Sequence, residues 1–426
     1  MAIVSQSSSL IQTAPAEAAL LTGKRVAMVT FSYYPDDPRP RRAAEALAEE
    51  GMKVEVICLA ASRQQPRRER LNGIDILRVP LKRRRGGVSE YVFQYGAFIT
   101  IAFCLLAWRS VRRAYALVHV HNMPDILVFC ALVPKLLGAK VVLDLHDPMP
   151  ELMMTIFDLH PEAAGVRLLR CLERWSIRLA DRVLAVNIAC KRLFGARSCN
   201  PAKISVVMNS PDEKVFGFRP STPRATTVTG SKRPFRVMYH GSLVERNGLA
   251  LGIEAIASLR NQVPDVELRI YGLETAFLRD VMETVDARGL GQVVRYWGPR
   301  RLEEVVAAID DCDVGIIPNL RNVFTEINTP TRIFEYLARG KPVIAPAAAG
   351  IQDYFPPNAL VFFELGDAVD LARQLEYVVA HPNLIAEVVR RGQDVYRAHA
   401  WPVERRVLVH LAGDLLRADA VTGKAA

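Results

Sequence analysis

Asn328-Thr329-Pro330-Thr331-Arg332-Ile333-Phe334-Glu335-Tyr336-Leu337-Ala338-Arg339-Gly340 lies between two short β-branched runs, Val314–Ile317 and Val343–Ala345. It reads as a helix with both ends marked: Thr329 suits the N-cap, Pro330 the first helical position and Gly340 the C-terminal cap. A helix joining two buried strand-like runs is a crossover, which is how neighbouring strands become parallel. The same helix carries chemistry. Its first turn offers backbone N–H groups to an anion such as a diphosphate, and Glu335 can accept two hydrogen bonds from a ribose diol. A capped surface helix with an ordinary exposed glutamate fits these local features equally well.

Outward from this unit the pattern repeats. Phe235–His240, Val266–Tyr271, Val293–Trp297 and Leu360–Phe363 read as further strands separated by helices. Upstream, Val26–Thr30, Val54–Leu59, Leu117–His121, Val141–Leu145 and Val183–Val186 alternate with helical segments near 41–50, 91–113, 124–137 and 162–180. Such alternation predicts an α/β protein with parallel sheets covered on both faces. The pattern breaks once, at the Pro-, Ser- and Thr-rich stretch 219–234, which reads as a linker. The expected organisation is a tail (1–22), a doubly wound domain (23–218), the linker, a second doubly wound domain (235–398) and a last helix (399–426) returning to the first domain. Ligands bind such sheets at the carboxyl ends of the strands, here expected to face a cleft.

Composition narrows the class. A chain of 426 residues, half of them apolar, suits two domains. Its seven scattered cysteines suggest buried thiols in a reducing compartment. Residues 1–22 lack a basic start, so a disordered tail and a cytoplasmic protein are expected, not a signal peptide. No Gly-x-Gly-x-x-Gly follows the first strand, which disfavours a dinucleotide dehydrogenase. Without an Asp-x-Asp in a suitable loop or a histidine cluster, no metal or cofactor is expected.

The net charge of +10 is uneven: residues 1–220 carry +11 and residues 221–426 carry −1. The excess is densest at Arg63, Arg67, Arg68, Arg70, Arg78, Lys82, Arg83, Arg84 and Arg85. This is either a solvated loop or a patch for anionic lipid or a phosphate-bearing acceptor. Nucleic acid is disfavoured, because no aromatics interleave and no binding motif follows. Val92–Trp108 is uncharged over 17 residues and followed by Arg109, Arg112 and Arg113. It is at the short limit for a membrane span and fits a buried or interfacial helix.

The segment from Thr329 to Val343 resembles the donor-binding segment of retaining GT-B glycosyltransferases of family 4. Tyr239-His240-Gly241-Ser242-Leu243-Val244-Glu245-Arg246-Asn247-Gly248 resembles that family's glycine loop. Ile270-Tyr271-Gly272, Tyr296-Trp297-Gly298, Asp313–Pro318 and Trp401 match its further landmarks, and the similarity spans about 25 to 420. The resemblance implies a nucleotide sugar as co-substrate. Glu335 would hold the ribose, Asn328, Thr329, Pro330 and Thr331 would cradle the diphosphate with Arg246, and Gly241, Ser242, Asn247, Gly272 and Arg332 would complete the donor site. The family's first glutamate would fall at Ile327, with Glu326 one place away as its candidate replacement.

In the first domain, Asp144-Leu145-His146-Asp147-Pro148 resembles the family segment whose histidine faces the transferred sugar, so His146 and Asp147 join Arg246 as catalytic candidates. Asp37, Arg39, His121, Asn122 and Glu151 are acceptor-site candidates, although Asp37 and Arg39 also suit a surface turn, and Asp147-Pro148 an ordinary one. His119 reads as a satisfied core residue. The implied reaction is retaining transfer to a hydroxyl of a lipid-linked or saccharide acceptor, at an anionic membrane surface on the cytoplasmic side. A nucleotide-sugar 2-epimerase and a non-catalytic nucleotide-sugar-binding partner are the rival readings.

Overall fold

The computed structural model describes residues 19–62, 64–83, 87–222 and 233–422. The expected tail up to residue 18, Arg63, Arg84, Arg85, and residues 223–232 of the expected linker lie outside the described residues. Two compact units emerge. The first takes the chain up to Val186, then Cys190–Met208 and everything from Pro402 on; the second takes Asn187–Ala189 and Asn209–Trp401.

The first unit is built on β1 (Arg25–Tyr33), β2 (Lys53–Leu59), β3 (Arg68–Leu71), β4 (Ile74–Val79), β5 (Leu117–His121), β6 (Lys140–Leu145), β7 (Arg182–Ala185) and β8 (Ile204–Val206). Their order in the sheet is β3-β4-β2-β1-β5-β6-β7-β8. Every pairing is parallel except β3 with β4. The second unit holds β9 (Phe235–His240), β10 (Val266–Tyr271), β11 (Val294–Gly298), β12 (Val314–Ile316), β13 (Val343–Pro346) and β14 (Val361–Phe363), ordered β11-β10-β9-β12-β13-β14 and wholly parallel. In both, the central strands are buried along most of their length, as sheets covered on both faces require.

Three expectations need correction. The basic run is not all loop: Arg68, Arg70 and Arg78 stand in the β3–β4 hairpin at the sheet edge, while Arg67, Lys82 and Arg83 lie outside its strands. Arg78 is buried there, with its Nη2 2.6 Å from Glu69 Oε2, so it contributes nothing to a surface patch. The chain changes unit at Met208–Asn209, ahead of the stretch read as linker. The segment that follows is tied into the second unit: Arg219 N donates to Ala338 O at 2.8 Å and the Phe218 ring stacks on Tyr396. Finally, the 331–338 helix starts one residue later than expected. Pro330 is its N-cap and no side chain caps it; the Thr329 hydroxyl donates instead to Gly350 O at 2.6 Å.

The Val88–Arg112 helix explains its own composition only in part. Gln94, Phe98, Ala102, Leu106 and Ser110, four residues apart, form its buried stripe, the spacing of one helix face. Phe31 meets Tyr95 and Phe98 edge-on at 4.9 and 5.2 Å. The opposite face holds Val92, Phe93, Cys104, Trp108 and Val111, all exposed. Within it, Ser89–Arg112 is long and apolar enough to cross a membrane by length and composition.

The final helix, Trp401–Thr422, belongs to the first unit from Pro402 on. Glu404 Oε2 accepts from Met208 N at 2.8 Å, and Arg405 pairs with Glu49 and Glu50 at 3.1 and 2.8 Å.

Candidate functional site

The parallel register assembles the first group of residues. Thr30 pairs with His121 and His121 with Asp144 across β1, β5 and β6. Paired residues point to the same face, and residues two apart in a strand do too, so His119 joins His121 and Asp144. Their rings stack, 4.3 Å between centroids. Asp144 Oδ2 lies 3.5 Å from His119 Nε2, 3.4 Å from His121 Nδ1 and 3.8 Å from His146 Nε2. His121 Nδ1 and His146 Nε2 are hydrogen-bonded at 2.9 Å.

Arg39 closes this cluster. Its Nη2 donates to Asp144 Oδ1 at 2.7 Å, its Nε reaches both Asp144 oxygens at 3.1 Å, and its Nη1 donates to Val207 O at 2.9 Å. The guanidinium is buried and committed, so the acceptor role expected for Arg39 gives way to a structural one. Asp37 caps the Pro38–Glu49 helix by accepting from Arg39 N at 3.3 Å.

Asn122 fixes the adjoining turn. Its Oδ1 accepts from His146 N at 2.7 Å, and its Nδ2 donates to Asp125 Oδ1 and Asp147 O, both at 2.9 Å. Glu151 falls elsewhere: with Glu173 it holds Arg197, whose Nη1 is 2.5 Å from Glu151 Oε1 and whose Nε is 2.9 Å from Glu173 Oε1. Two buried carboxylates sharing one guanidinium form a core ion network, which removes Glu151 from the acceptor candidates. His119 is in the core as expected, but neither ring nitrogen makes a hydrogen bond.

Burial dominates the proton affinities. It holds His121 far below the usual imidazole range and His146 at about 4, in both cases against the opposing pull of Asp144. Asp144 stays well below the carboxylate range, because Arg39 and the histidines outweigh the cost of burying its charge. Burial and Glu173 raise Asp125 to about 7. His119, His121 and Asp144 bring ligand atoms within 4.8 Å of one another. That spacing could admit a cation, but the guanidinium of Arg39 already occupies both oxygens of Asp144 and would repel one.

The second group gathers where β9 and β10 end, with Tyr271 registered beside His240. Gly241 follows at φ +121°, and a Cβ on Gly272 would lie 2.3 Å from Gly241 O, so this turn needs glycine at both positions. Ser242 O accepts from Tyr239 Oη at 2.9 Å and from Asn247 Nδ2 at 2.8 Å, which folds the loop back on itself. From the Thr331–Ala338 helix, Arg332 Nη1 donates to His240 O at 2.7 Å and its guanidinium lies 4.9 Å from the Tyr239 ring centre. Glu335 Oε2 meets His240 Nε2 at 2.6 Å, while the glutamate side chain remains 16% exposed.

Tyr336 backs that pair. Its hydroxyl is 2.8 Å from His240 Nδ1 and 3.0 Å from Met238 O. The ring fits because position 315 is glycine: a Cβ there would come within 2.3 Å of it. Sequence reasoning missed both His240 and Tyr336, although each adjoins a residue it singled out.

The remaining candidates are more scattered. Arg246 lies in the short Glu245–Asn247 turn, 5.9 Å from the Phe324 ring centre. Glu326 accepts from Arg321 Nη1 at 3.0 Å. Asn328, Thr329 and Pro330 lead into the uncapped first turn at Thr331.

Residues 37–210 match the family described as "Glycosyl transferase 4-like domain", and residues 234–381 match "Glycosyl transferases group 1". WcaL of Escherichia coli (strain K12), named for glycosyl transfer in colanic acid biosynthesis, is 28% identical over 220 residues, 51% of this chain and 52% of its own length. The chain thus spans about half of that relative. Among solved structures, sucrose-phosphate synthase from Thermosynechococcus elongatus superposes with a TM-score of 0.73 at 17% identity, covering 94% of this chain and all of that one. HepE from Anabaena, solved with UDP-glucose, superposes with a TM-score of 0.64 at 14% identity, covering 92% of this chain and 99% of its own. Two consecutive family matches and a shared two-sheet architecture agree: the chain belongs to the group 1 glycosyltransferases and is an enzyme of the GT-B fold.

Proposed function

We propose that this glycosyltransferase moves a sugar, with retention, from a nucleoside diphosphate sugar to a hydroxyl of a lipid-linked acceptor during polysaccharide assembly. The observation that carries the reading is the partly exposed carboxylate of Glu335, braced by His240 beside an uncapped helix start. A braced carboxylate suits a ribose diol, and open N–H groups suit a diphosphate. HepE, seen with UDP-glucose, supports the donor class, and WcaL supports the polysaccharide setting.

Arg246 is assigned to the diphosphate, and His146 with Asp147 to the transferred sugar. In the reaction, the bond from the sugar's C1 to the phosphate oxygen breaks and a bond from C1 to the acceptor oxygen forms on the same face. The acceptor's proton passes to the departing phosphate. Growing charge on that phosphate is met by Arg246 and the helix N-terminus. Glu335→Gln tests the grip: nucleoside diphosphate and donor affinity should both fall on the order of tenfold or more, in a folded protein. Unchanged affinity would refute it.

The acceptor reading places the enzyme on the inner face of the cell membrane, with the exposed apolar face of the Val88–Arg112 helix lying in the lipid interface. Arg112, stacked 3.9 Å from the Trp108 ring centre, and Arg113 would meet anionic headgroups. Flotation with anionic vesicles tests this: Phe93→Ser with Trp108→Ser should abolish binding, and salt should weaken it in the wild type. Binding untouched by both changes would refute the surface.

A further inference from the structure

Of the three rings gathered around Asp144, His119 and His121 are fully buried and only His146 reaches solvent, with 19% of its side chain exposed. The charged groups acting on His146 are Asp144, Arg39 and Asp37, and His119 and His121 are its titratable neighbours. Asp144 already has its charge balanced by Arg39 at 2.7 Å. A proton added to any ring would therefore be a buried charge without a dedicated counterion, which is costly. His121 and His146 are therefore neutral, with one N–H each.

Geometry then settles where the protons sit. His121 Nδ1 stands between Asp144 Oδ2 at 3.4 Å and His146 Nε2 at 2.9 Å. A bare lone pair there would face a carboxylate oxygen, whereas an N–H would be attracted to both neighbours. His121 Nε2 is buried without a hydrogen-bond partner, and an orphaned buried N–H is rarer than an orphaned acceptor. Both arguments put the proton of His121 on Nδ1. It donates to His146 Nε2, which must accept, and the single proton of His146 goes to Nδ1. That nitrogen makes no hydrogen bond among the described residues.

We propose that His121 is a positioning residue that locks His146 as a neutral imidazole protonated on Nδ1, so that His146 meets its substrate as a hydrogen-bond donor. The partner is an oxygen acceptor, a hydroxyl of the transferred sugar. His146 neither takes the acceptor's proton nor contributes positive charge. Asn122 completes the lock from the backbone by holding His146 N at 2.7 Å. The substrate half of this proposal rests on the assignment of His146 to the transferred sugar; the proton placement does not.

Long-range ¹⁵N–¹H spectra of protein labelled at its imidazole nitrogens test the placement, with His146→Gln identifying the signals of His146. The expected result is a protonated Nδ1 and a bare Nε2 from about pH 5.5 to 8. A protonated Nε2, or a doubly protonated ring near pH 6, would overturn it. Kinetics test the positioning. His121→Phe keeps the stacking on His119 but loses the donor, and should lower kcat on the order of tenfold or more without changing nucleotide affinity. His121→Asn, whose amide N–H can take the place of Nδ1–H, should recover most of that loss. Wild-type kcat in the Phe variant would overturn the positioning role. If that variant does not fold, the wild-type spectrum decides alone. If the spectrum is as expected but His146→Ala turns over normally, the assignment of His146 to the reaction fails while the proton placement stands.

Discussion

Each unit ends a central strand with a buried histidine, His121 on β5 and His240 on β9, and the two have opposite kinds of partner. His121 bonds to another imidazole, and the nearby carboxylate of Asp144 is bound by Arg39. His240 bonds directly to the carboxylate of Glu335, which keeps an edge in solvent. The first arrangement is closed: its charges cancel internally, and one partly exposed ring is left to act outward. The second is open: the histidine braces an acid that retains unused lone pairs. Residues alike in type and in place thus become a core fastening in one sheet and a binding edge in the other.

The sharpest way to break this contrast is at Asp144. Asp144→Ala strands the buried Arg39 guanidinium and should cost about 3–5 kcal/mol, as loss of one member of a buried pair does. Urea unfolding reads the loss, and a change below about 1 kcal/mol would mean that water rescues the arginine. A smaller effect is expected next door at Asp125, raised to about 7 by burial and Glu173. The folded protein keeps this acid protonated up to about pH 7, while the unfolded chain ionises it near 4. Stability therefore falls as pH rises between those values and loses nothing more above them. Asp125→Asn removes that slope and should stabilise the protein by about 1–3 kcal/mol at pH 8, with little change at pH 4. Unfolding measured at both values checks it; an unchanged slope would exonerate Asp125. Smallest of all is the stability cost of Glu335→Gln, under about 1 kcal/mol, because an amide still accepts from His240 and one edge stays hydrated.

The regular core of both sheets was legible in the sequence. Leu117–His121, Phe235–His240 and Val266–Tyr271 carry apolar residues at every second position or more, enough to declare strands, and their observed limits are the same. The β3–β4 hairpin was not legible, because Arg68-Glu69-Arg70 is exposed and charged on both faces, the usual guise of an edge strand. The site was harder. Histidines and acids near strand ends could be located, but Arg39 finds Asp144 across 105 positions, a pairing that no local pattern encodes. Thr329 misled for a related reason: its hydroxyl had the right spacing for a cap, but tertiary contact with Gly350 O claimed it. Gly315 carried a usable signal, since a glycine inside an apolar strand asks what ring lies over it.

The helix starting at Trp401 has a consequence for synthesis. The first unit needs Glu404 and Arg405 to hold Met208 N, Glu49 and Glu50, yet these residues leave the ribosome after nearly the whole second unit. At typical elongation rates the intervening stretch takes roughly 10–40 s to make. The earlier half of the polypeptide must wait that long, with an open seam, while the later half can already close. A released chain ending at Ala400 should therefore hold a protease-resistant second unit beside a first unit that is still easily cut.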